Sequence, residues 1–315
     1  MMDWLLEKSL LGYTRLGYQW RQRRDWEELP RLEGRVAVIT GATGGLGAAA
    51  ATQLCGLGAT VILVGRDPGK LAAMRESLTR LPNGGPVESE IADLSNMQAV
   101  LALSERLRQR GNIDILLNNA GVLLNERRET AEGLEATFAT NLLGHYILTE
   151  KLLPSLAGRA DARVINVSSG GMYTQRIRVD DPETRQLAYK GPDVYARTKR
   201  GQVIMTGRWA ARFPSVGVYS MHPGWADTVG VQTALPGFRK LTRPLLRNAE
   251  EGADTMTWLA AAARDRLHSG AFYHDRRVWP EHRMLSTRET PAEREALEAL
   301  LEAYATRLLG KDWRR

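Results

Sequence analysis

The chain has 315 residues, of which 43% are hydrophobic, 25% charged and 7% aromatic, and its formal net charge is +7. These proportions are those of a globular protein and exclude a disordered, collagen-like or coiled-coil chain. The single cysteine, Cys55, excludes an internal disulfide framework and favours the cytoplasm, and the five dispersed histidines argue against a metal site.

The first 30 residues predict a helix. Apolar side chains recur there at spacings of three or four residues: Leu6, Leu10, Tyr13, Leu16 and Trp20. A basic run follows at 21–24. Such a helix can contact an anionic membrane through residues 1–24, or it can dock on its own domain or on a partner subunit, which we favour. No apolar run approaches the roughly 20 residues that a membrane-spanning helix needs.

From residue 35 onward, short β-branched runs alternate with longer helical stretches. The predicted strands are 36–40, 60–64, 87–91, 113–117, 163–167 and 216–221. This alternation predicts an α/β fold, namely a Rossmann doubly wound parallel sheet with helices on both faces. We expect one nucleotide-binding catalytic domain over 34–280. Helical extensions are expected at 1–33 and 281–315, the second beginning with a capping box at Thr290.

A glycine-rich turn lies between the first strand and the first helix. In this position, backbone amides and the helix dipole can hold a pyrophosphate, and a Cβ would block the tight turn or the close approach of the phosphate. The candidate cofactor-binding residues of the turn are Thr40, Gly41, Thr43, Gly44, Gly45, Leu46 and Gly47.

Four further motifs follow in order along the chain. They are Asn118-Asn119-Ala120-Gly121, Asn166-Val167-Ser168-Ser169, the YxxxK segment from Tyr195 to Lys199, and the segment from Pro223 to Thr228. Together with the glycine turn they resemble the short-chain dehydrogenase/reductase family, in its TGxxxGxG and NNAG subgroup, over about residues 34–275. Three segments, 168–172, 221–228 and 252–256, resemble one member of that family more closely. The resemblance implies an NAD(P)-dependent oxidoreductase and a homodimer or homotetramer.

The residue that ends the second strand bears on the choice of cofactor. An acidic residue there would bind the ribose diol and repel a 2′-phosphate, but this chain has Gly65 followed by Arg66. A guanidinium can pair with phosphate, so NADP(H) is favoured over NAD(H), while Asp67 either tempers this preference or caps the next helix. The resemblance adds further cofactor contacts at Asp93, Leu94, Asn118, Ala120, Gly121, Pro223, Gly224 and Thr228.

Hydride transfer to a carbonyl requires a proton donor, which the cofactor cannot supply. Tyr195 is the candidate acid, and Lys199 lies on the same helical face, where its charge is expected to lower the pKa of the phenol. The resemblance implies that Ser169 holds the substrate oxygen, that Lys199 also holds the nicotinamide ribose, and that Asn141 orders a water in the proton relay. Asp193 is expected to cap the helix that carries Tyr195.

The segment 170–192 is expected to border the substrate pocket. Apolar side chains in this segment and beyond the sixth strand either line the pocket or pack under their own loops: Met172, Tyr173, Leu187, Trp225, Val229, Leu235 and Phe238. We expect a lipophilic carbonyl or secondary alcohol as substrate, with NADPH favouring reduction. The alternative is a catalytically silent NADP(H)-binding regulatory or scaffold protein. No interleaving of basic and aromatic residues supports nucleic-acid binding.

Overall fold

The computed structural model describes residues 10–227, 232 and 236–314. Thr228, Val229 and Leu235, which the sequence assigned to the cofactor site or to the substrate pocket, lie outside the described residues.

The described residues form one eight-stranded sheet with the order β3-β2-β1-β4-β5-β6-β7-β8. Its strands are β1 (Val36–Thr40), β2 (Thr60–Gly65), β3 (Val87–Ile91), β4 (Ile115–Asn118), β5 (Arg163–Val167), β6 (Gly217–Met221), β7 (Phe272–His274) and β8 (Arg277–Val278). Neighbouring strands from β3 through to β7 are parallel, and only β7 and β8 pair antiparallel. The predicted Rossmann-type fold is therefore confirmed.

Helices cover both faces of this sheet. They are α1 (Arg15–Asp25), α2 (Gly45–Gly56), α3 (Pro68–Thr79), α4 (Met97–Arg110), α5 (Ala136–Phe138, continued by a π-helical turn Ala139–Leu143 and by Gly144–Ala157), α6 (Gly191–Arg212), α7 (Pro236–Thr242), α8 (Ala249–Ala261) and α9 (Pro291–Leu309). Helices α4, α5 and α6 build one hydrophobic core with α9 packed beside them, and α2, α3 and α8 build the other. In the described ranges, no helix is long and apolar enough to span a bilayer.

The burial of each strand reflects its position in the sheet. Strands β1, β4, β5 and β6 are buried along their whole length, as expected of central strands covered on both faces. At the edge, β3 buries Val87 but directs Glu88 and Glu90 toward Arg110 and Arg106 of α4. These outward charges blunt an edge that could otherwise pair with another chain.

The segment before β1 packs on the domain through only part of the predicted apolar stripe. Leu16 and Trp20 are exposed, whereas Tyr13, Tyr18 and Arg21 are buried. The spacing of apolar residues predicted an apolar docking face. The structure also buries the charged side chain of Arg21, which pairs with the buried Asp275. At the other end, α9 begins with the expected capping box, in which Glu293 N donates to Thr290 Oγ1 at 3.2 Å.

Candidate active site

The glycine turn at the start of α2 leaves room for a phosphate. Gly41 has a φ of +67°, and a Cβ there would lie 2.9 Å from Ala120 Cα. A Cβ on Gly47 would lie 2.2 Å from the carbonyl oxygen of Gly41. Among the described residues, no side chain caps α2 at Gly44, so its first amides remain available to an anion. This geometry fits the pyrophosphate of a dinucleotide.

Thr40 joins this turn to the Asn118–Gly121 segment. Its hydroxyl oxygen accepts hydrogen bonds from Asn119 N at 2.9 Å and Ala120 N at 3.0 Å, and Asn119 Nδ2 donates to Thr40 O at 2.8 Å. The side chain of Thr40 is fully buried. It therefore positions two loops that face the cofactor, and does not itself reach the surface where a cofactor would lie.

Asn118 is also turned into the protein interior. It is paired in register with Asn166 across β4 and β5, and its Nδ2 donates to Asn166 Oδ1 at 2.9 Å and to Thr149 Oγ1 at 2.8 Å. These bonds fix the carboxyl ends of the two strands that carry the site. The sequence pattern could not distinguish this internal role of the first asparagine from a contact with the cofactor.

Arg66 and Asp93 lie at the same edge of the sheet, after β2 and β3. The guanidinium of Arg66 is 73% exposed, and its Nη1 is 4.0 Å from Asp93 Oδ2. Asp67 accepts a hydrogen bond from Lys70 N at 3.0 Å and so caps α3. Of the two roles considered for Asp67, the structure shows the cap, and Arg66 is left open to solvent. Leu94, by contrast, is buried.

Ser169, Tyr195 and Lys199 converge where β5 ends beside α6. Ser169 lies close enough to Tyr195 to lower the pKa of its phenol, and Lys199 Nζ is 5.5 Å from the centroid of the Tyr195 ring. Lys199 Nζ also donates to Val167 O at 2.7 Å. A Cβ on Gly121 would lie 3.4 Å from Lys199 Nζ, so the candidate catalytic lysine abuts the nucleotide-binding loop.

Helix α6 does not begin with the cap expected from its sequence. Its N-cap residue is Lys190, without a side-chain capping bond, and Asp193 lies within the first turn. The expectation that Asp193 caps the helix is therefore wrong. Gly191 permits the earlier start, because a Cβ there would lie 1.9 Å from the carbonyl oxygen of Leu124. Pro192 then suits the first turn, where its missing N–H costs nothing.

Burial governs the acidity of the two central groups. It raises the pKa of Tyr195 to about 12, although the hydrogen bond with Ser169 acts in the opposite direction. It also lowers the pKa of Lys199 to about 7, so the lysine is only partly charged at neutral pH. The expectation that Lys199 lowers the pKa of the phenol is not met in the protein alone, because it neglected what desolvation costs both charges.

Asn141 lies in the π-helical turn of α5 and is fully buried. Its Oδ1 accepts from Val122 N at 2.8 Å, and its Nδ2 donates to Val122 O at 2.9 Å, so the side chain holds the loop that follows Gly121. Its main-chain oxygen accepts from Gln202 Nε2 at 2.9 Å. Gln202 was not among the candidates, although its position three residues after Lys199 places it on the same helical face.

The segment 170–192 packs largely on its own surroundings. Met172 and Tyr173 are buried in a cluster with Val203, Phe272 and Trp279, whereas Leu187 is exposed. Of the two roles considered for Met172 and Tyr173, the structure therefore supports packing beneath their own loop. The side chain of Phe238 lies outside the described part of the chain.

The same segment is tied to both neighbouring parts of the chain. Glu183 accepts hydrogen bonds from Glu135 N at 2.8 Å and from Tyr304 of α9 at 2.8 Å. Arg176 forms an ion pair with Glu293 at the start of α9. The carboxyl-terminal extension therefore holds the border of the predicted substrate pocket.

A buried charge cluster fixes the loop after β6. Asp275 pairs with both Arg21 and Arg247, and Arg247 Nη2 donates to Gly12 O at 3.1 Å. Nearby, Trp225 N donates to the main-chain oxygen of Tyr13 at 2.8 Å. The amino-terminal segment thus anchors the loop that carries Pro223 and Gly224. Sequence patterns assign Arg21 no role in the site, since no local motif links it to a residue 254 positions away.

Comparison with known proteins agrees with this geometry. The short chain dehydrogenase family profile matches residues 35–179. The chain is 40% identical over 305 residues to dehydrogenase/reductase SDR family member 12 of Bos taurus, covering 95% of this chain and 96% of the relative. This is the member that the segments 168–172, 221–228 and 252–256 resemble.

Two further matches extend the comparison. Retinol dehydrogenase 12 of Homo sapiens is 33% identical over 255 residues, covering 79% of this chain and 80% of that protein. A crystal structure of a 3-oxoacyl (acyl-carrier-protein) reductase from Agrobacterium tumefaciens C58 with NADP bound has a TM-score of 0.65 and 27% identity, covering 80% of this chain and 96% of the other. The chain belongs to the short-chain dehydrogenase/reductase family and is an oxidoreductase of CH–OH and C=O groups that binds a nicotinamide cofactor.

Proposed function

We propose that this protein is an NADPH-preferring reductase of lipophilic carbonyl compounds, with Tyr195 as the general acid. The observation that carries the proposal is the convergence of Ser169, Tyr195 and Lys199 against Gly121 of the nucleotide-binding loop. The bound dinucleotide supplies the hydride. The chain itself supplies the proton and the hydrogen bonds to the substrate oxygen.

The acidity of Tyr195 favours the reductive direction. With its pKa raised to about 12, the phenol is protonated at neutral pH and ready to give its proton to a carbonyl oxygen that gains negative charge. Ser169, which lies beside that phenol, would donate a second hydrogen bond to the same oxygen. Oxidation of an alcohol would instead need the phenolate, which burial disfavours.

The preference for NADPH rests on Arg66. Its exposed guanidinium lies at the carboxyl end of β2, where it can pair with a 2′-phosphate, and Asp67 is occupied as a helix cap. Thr43, Gly44, Gly45 and Leu46 would border the pyrophosphate at the start of α2. The bound NADP of the similar acyl-carrier-protein reductase supports the same choice.

The substrate class is inferred from relatives. Retinol dehydrogenase 12 and, at 32% identity over 286 residues, polyprenol dehydrogenase of Danio rerio are named for lipophilic alcohols. A panel of aldehydes and ketones of increasing hydrophobicity, followed by NADPH absorbance with NADH in parallel, tests the proposal. We expect faster NADPH consumption with the more lipophilic carbonyls. NADPH binding without consumption across the panel would favour the silent regulatory or scaffold alternative.

We also propose that α1 contacts an anionic membrane surface on the cytoplasmic side. Its exposed face carries Leu16, Trp20, Arg23 and Arg24, a combination of apolar and basic groups that suits such a surface. The single Cys55, a buried free thiol, supports the cytoplasmic location. Assembly as a homodimer or homotetramer remains a prediction from the family.

Cosedimentation with phosphatidylserine vesicles tests the membrane contact. We expect the wild-type chain to sediment with anionic vesicles and the double variant Leu16→Ser/Trp20→Ser to remain in the supernatant. The variant Met284→Ser/Leu285→Ser removes two exposed apolar side chains elsewhere and is the matched control. Equal partitioning of the wild type and the α1 variant would remove this proposal.

A further inference from the structure

A buried amide joins the candidate catalytic lysine to the neighbouring helix. Lys199 Nζ donates to Gln202 Oε1 at 3.1 Å, and Gln202 Nε2 donates to the main-chain oxygen of Asn141 at 2.9 Å. All three residues are at least nine-tenths buried. Both ends of the Gln202 amide are therefore satisfied, one by the ammonium of α6 and the other by the π-helical turn of α5.

The same chain of contacts continues beneath the glycine turn. His145 Nδ1 lies 3.1 Å from Gln202 Nε2 and 3.2 Å from Asn141 O, and His145 Nε2 lies 3.1 Å from Thr40 Oγ1. Burial and the charge of Lys199 lower the pKa of His145 to about 3, which keeps the ring neutral. Thr40 in turn holds the amides of Asn119 and Ala120. One buried polar network thus spans the distance from Lys199 to the nucleotide-binding loops.

We propose that Gln202 is a positioning residue for the hydride-transfer reaction, holding the Lys199 ammonium in register with Asn141 and, through His145, with the glycine turn. The inference rests on the proposed function, in which Lys199 acts beside Tyr195. Gln202 provides a neutral acceptor that supports the charged form of the lysine in a dry site, while its amide N–H fixes the direction in which that acceptor points.

Two features separate this role from ordinary packing. Val167 O is the other acceptor of Lys199 Nζ and belongs to the backbone of β5, so Gln202 supplies the adjustable acceptor. The titratable groups around the ammonium come from two elements, Tyr195 on α6 itself and His145 on α5, and both favour their neutral forms. A change of charge at position 202 should therefore act directly on Lys199.

The test measures the titration of Lys199 by NMR in the full chain labelled with ¹³C-lysine, with the signal assigned by its loss in Lys199→Met. Gln202→Leu removes the acceptor, and the lysine should titrate at a lower pH than in the wild type. Gln202→Glu keeps the size but adds a negative charge, and the titration should move upward by about one pH unit. Opposite movements in the two variants are the expected signature.

Thr206→Val is the matched control. Thr206 is buried one turn further along α6, accepts from Asn166 Nδ2 at 2.9 Å and donates to the main-chain oxygen of Gln202 at 2.8 Å, so its loss should lower stability but leave the Gln202 side-chain amide and the titration of Lys199 in place. Unchanged titration in both Gln202 variants would overturn the proposal. If Gln202→Leu does not fold, the isosteric Gln202→Glu still decides the question. An unchanged titration of Lys199 in Gln202→Glu would also overturn the proposal.

Kinetics separate this proposal from the proposed function. With an active carbonyl substrate, Gln202→Leu should lower kcat about tenfold, with a smaller change in the KM for the carbonyl, because the lysine is misplaced and not absent. If the wild type consumes no NADPH with any carbonyl, the proposed function fails. The NMR titration still reports whether Gln202 controls Lys199.

Discussion

The glycine turn after β1 and the loop after β6 lie on the same edge of the sheet, but they are held in place differently. The turn is held by close backbone contacts and by Thr40, whose hydroxyl oxygen accepts hydrogen bonds from two backbone amides of the neighbouring loop. The loop after β6 is held by Arg247, Asp275 and Arg21, a charge cluster that reaches into the amino-terminal segment. The nucleotide half, meaning the turn after β1 and the Asn118–Gly121 loop, is thus held by contacts between the ends of adjacent strands. The substrate half, meaning the segment 170–192 and the loop after β6 that are expected to border the substrate, depends on the chain termini, although this loop also carries the cofactor candidates Pro223 and Gly224.

This difference changes how the terminal extensions are understood. The sequence predicts two helical additions packed on one core. In the structure, Gly12 and Tyr13 bond to the loop after β6, and Tyr304 of α9 bonds to the segment that precedes α6. Variation in the termini should therefore alter the substrate side of the site while leaving the dinucleotide fold intact.

The largest effect is expected from breaking the charge cluster of the substrate half. Burial opposes ionisation of Asp275, but His274, Arg247 and Arg21 outweigh it and hold its pKa well below the usual range. Asp275→Asn leaves two buried arginines without their counter-charge and should lower the free energy of unfolding by about 3–5 kcal/mol. Urea denaturation measures this, with the exposed Asp265→Asn as control. Equal stability of Asp275→Asn and wild type would contradict the anchoring role.

The next largest effect is expected from a substitution in the nucleotide half. Gly47→Ala places a methyl group 2.2 Å from the carbonyl oxygen of Gly41, a clash with backbone that cannot easily yield. We expect a stability loss of about 2 kcal/mol and weaker NADPH binding, measured by denaturation and calorimetry. Gly56→Ala, at the end of the same helix, is the control and should be neutral or stabilising. Full NADPH affinity in Gly47→Ala would show that the turn tolerates a side chain.

Acid should weaken both halves together. Burial lowers the pKa of His145 to about 3 and of His274 to about 4, so both are neutral in the folded protein near pH 6. The unfolded chain, with histidine near 6.5, binds more protons, and stability is therefore lost as the pH falls from about 6.5 toward 4. The expected slope is about 1.4 kcal/mol per pH unit for each such histidine.

Unfolding free energies at pH 7, 6 and 5 check this dependence. His274→Asn should flatten the slope, whereas the same change at the exposed His268 should not. A free energy of unfolding that is the same at pH 7 and pH 5 would show that the buried histidines do not control acid stability.

The smallest effect is expected from a substitution that tests the preference for NADPH over NADH. Arg66→Ala removes one exposed guanidinium from the end of β2 and should weaken NADPH binding about tenfold while leaving NADH binding nearly unchanged. Arg75→Ala, an exposed arginine on α3, controls for the loss of positive charge. Equal losses for NADPH and NADH would place the 2′-phosphate away from Arg66.

The sequence was informative wherever neighbouring residues determine the structure. Short apolar runs identified β1, β2 and β4 to β6, the flanking Val87 and Ile91 identified β3, and the Thr290 capping box identified the start of α9. The short β7–β8 hairpin was missed because its strands have only three and two residues, and its turn uses Asp275 and Arg276 at positive φ without a glycine. Such a hairpin has almost no periodic signal.

The site could be read from the sequence only in part, for a related reason. The motifs identified Ser169, Tyr195 and Lys199, which the structure brings together. The inward orientation of Thr40 and Asn118 depends on contacts with other strands, and the pKa values of Tyr195 and Lys199 depend on burial that no motif reports. A local sequence pattern does not reveal side-chain contacts between distant residues. The loops of the substrate half are held mainly by such contacts.

In the proposed function, Tyr195 supplies the proton for NADPH-dependent carbonyl reduction. NADPH binding by calorimetry is compared with carbonyl reduction in the wild type, Tyr195→Phe and the control Tyr146→Phe, whose hydroxyl donates to Glu302 of α9 at 3.0 Å. Tyr195→Phe should bind NADPH like the wild type and lose about a thousandfold in kcat, while Tyr146→Phe stays active. Reduction by Tyr195→Phe at a rate comparable to that of the wild type would show that another group supplies the proton.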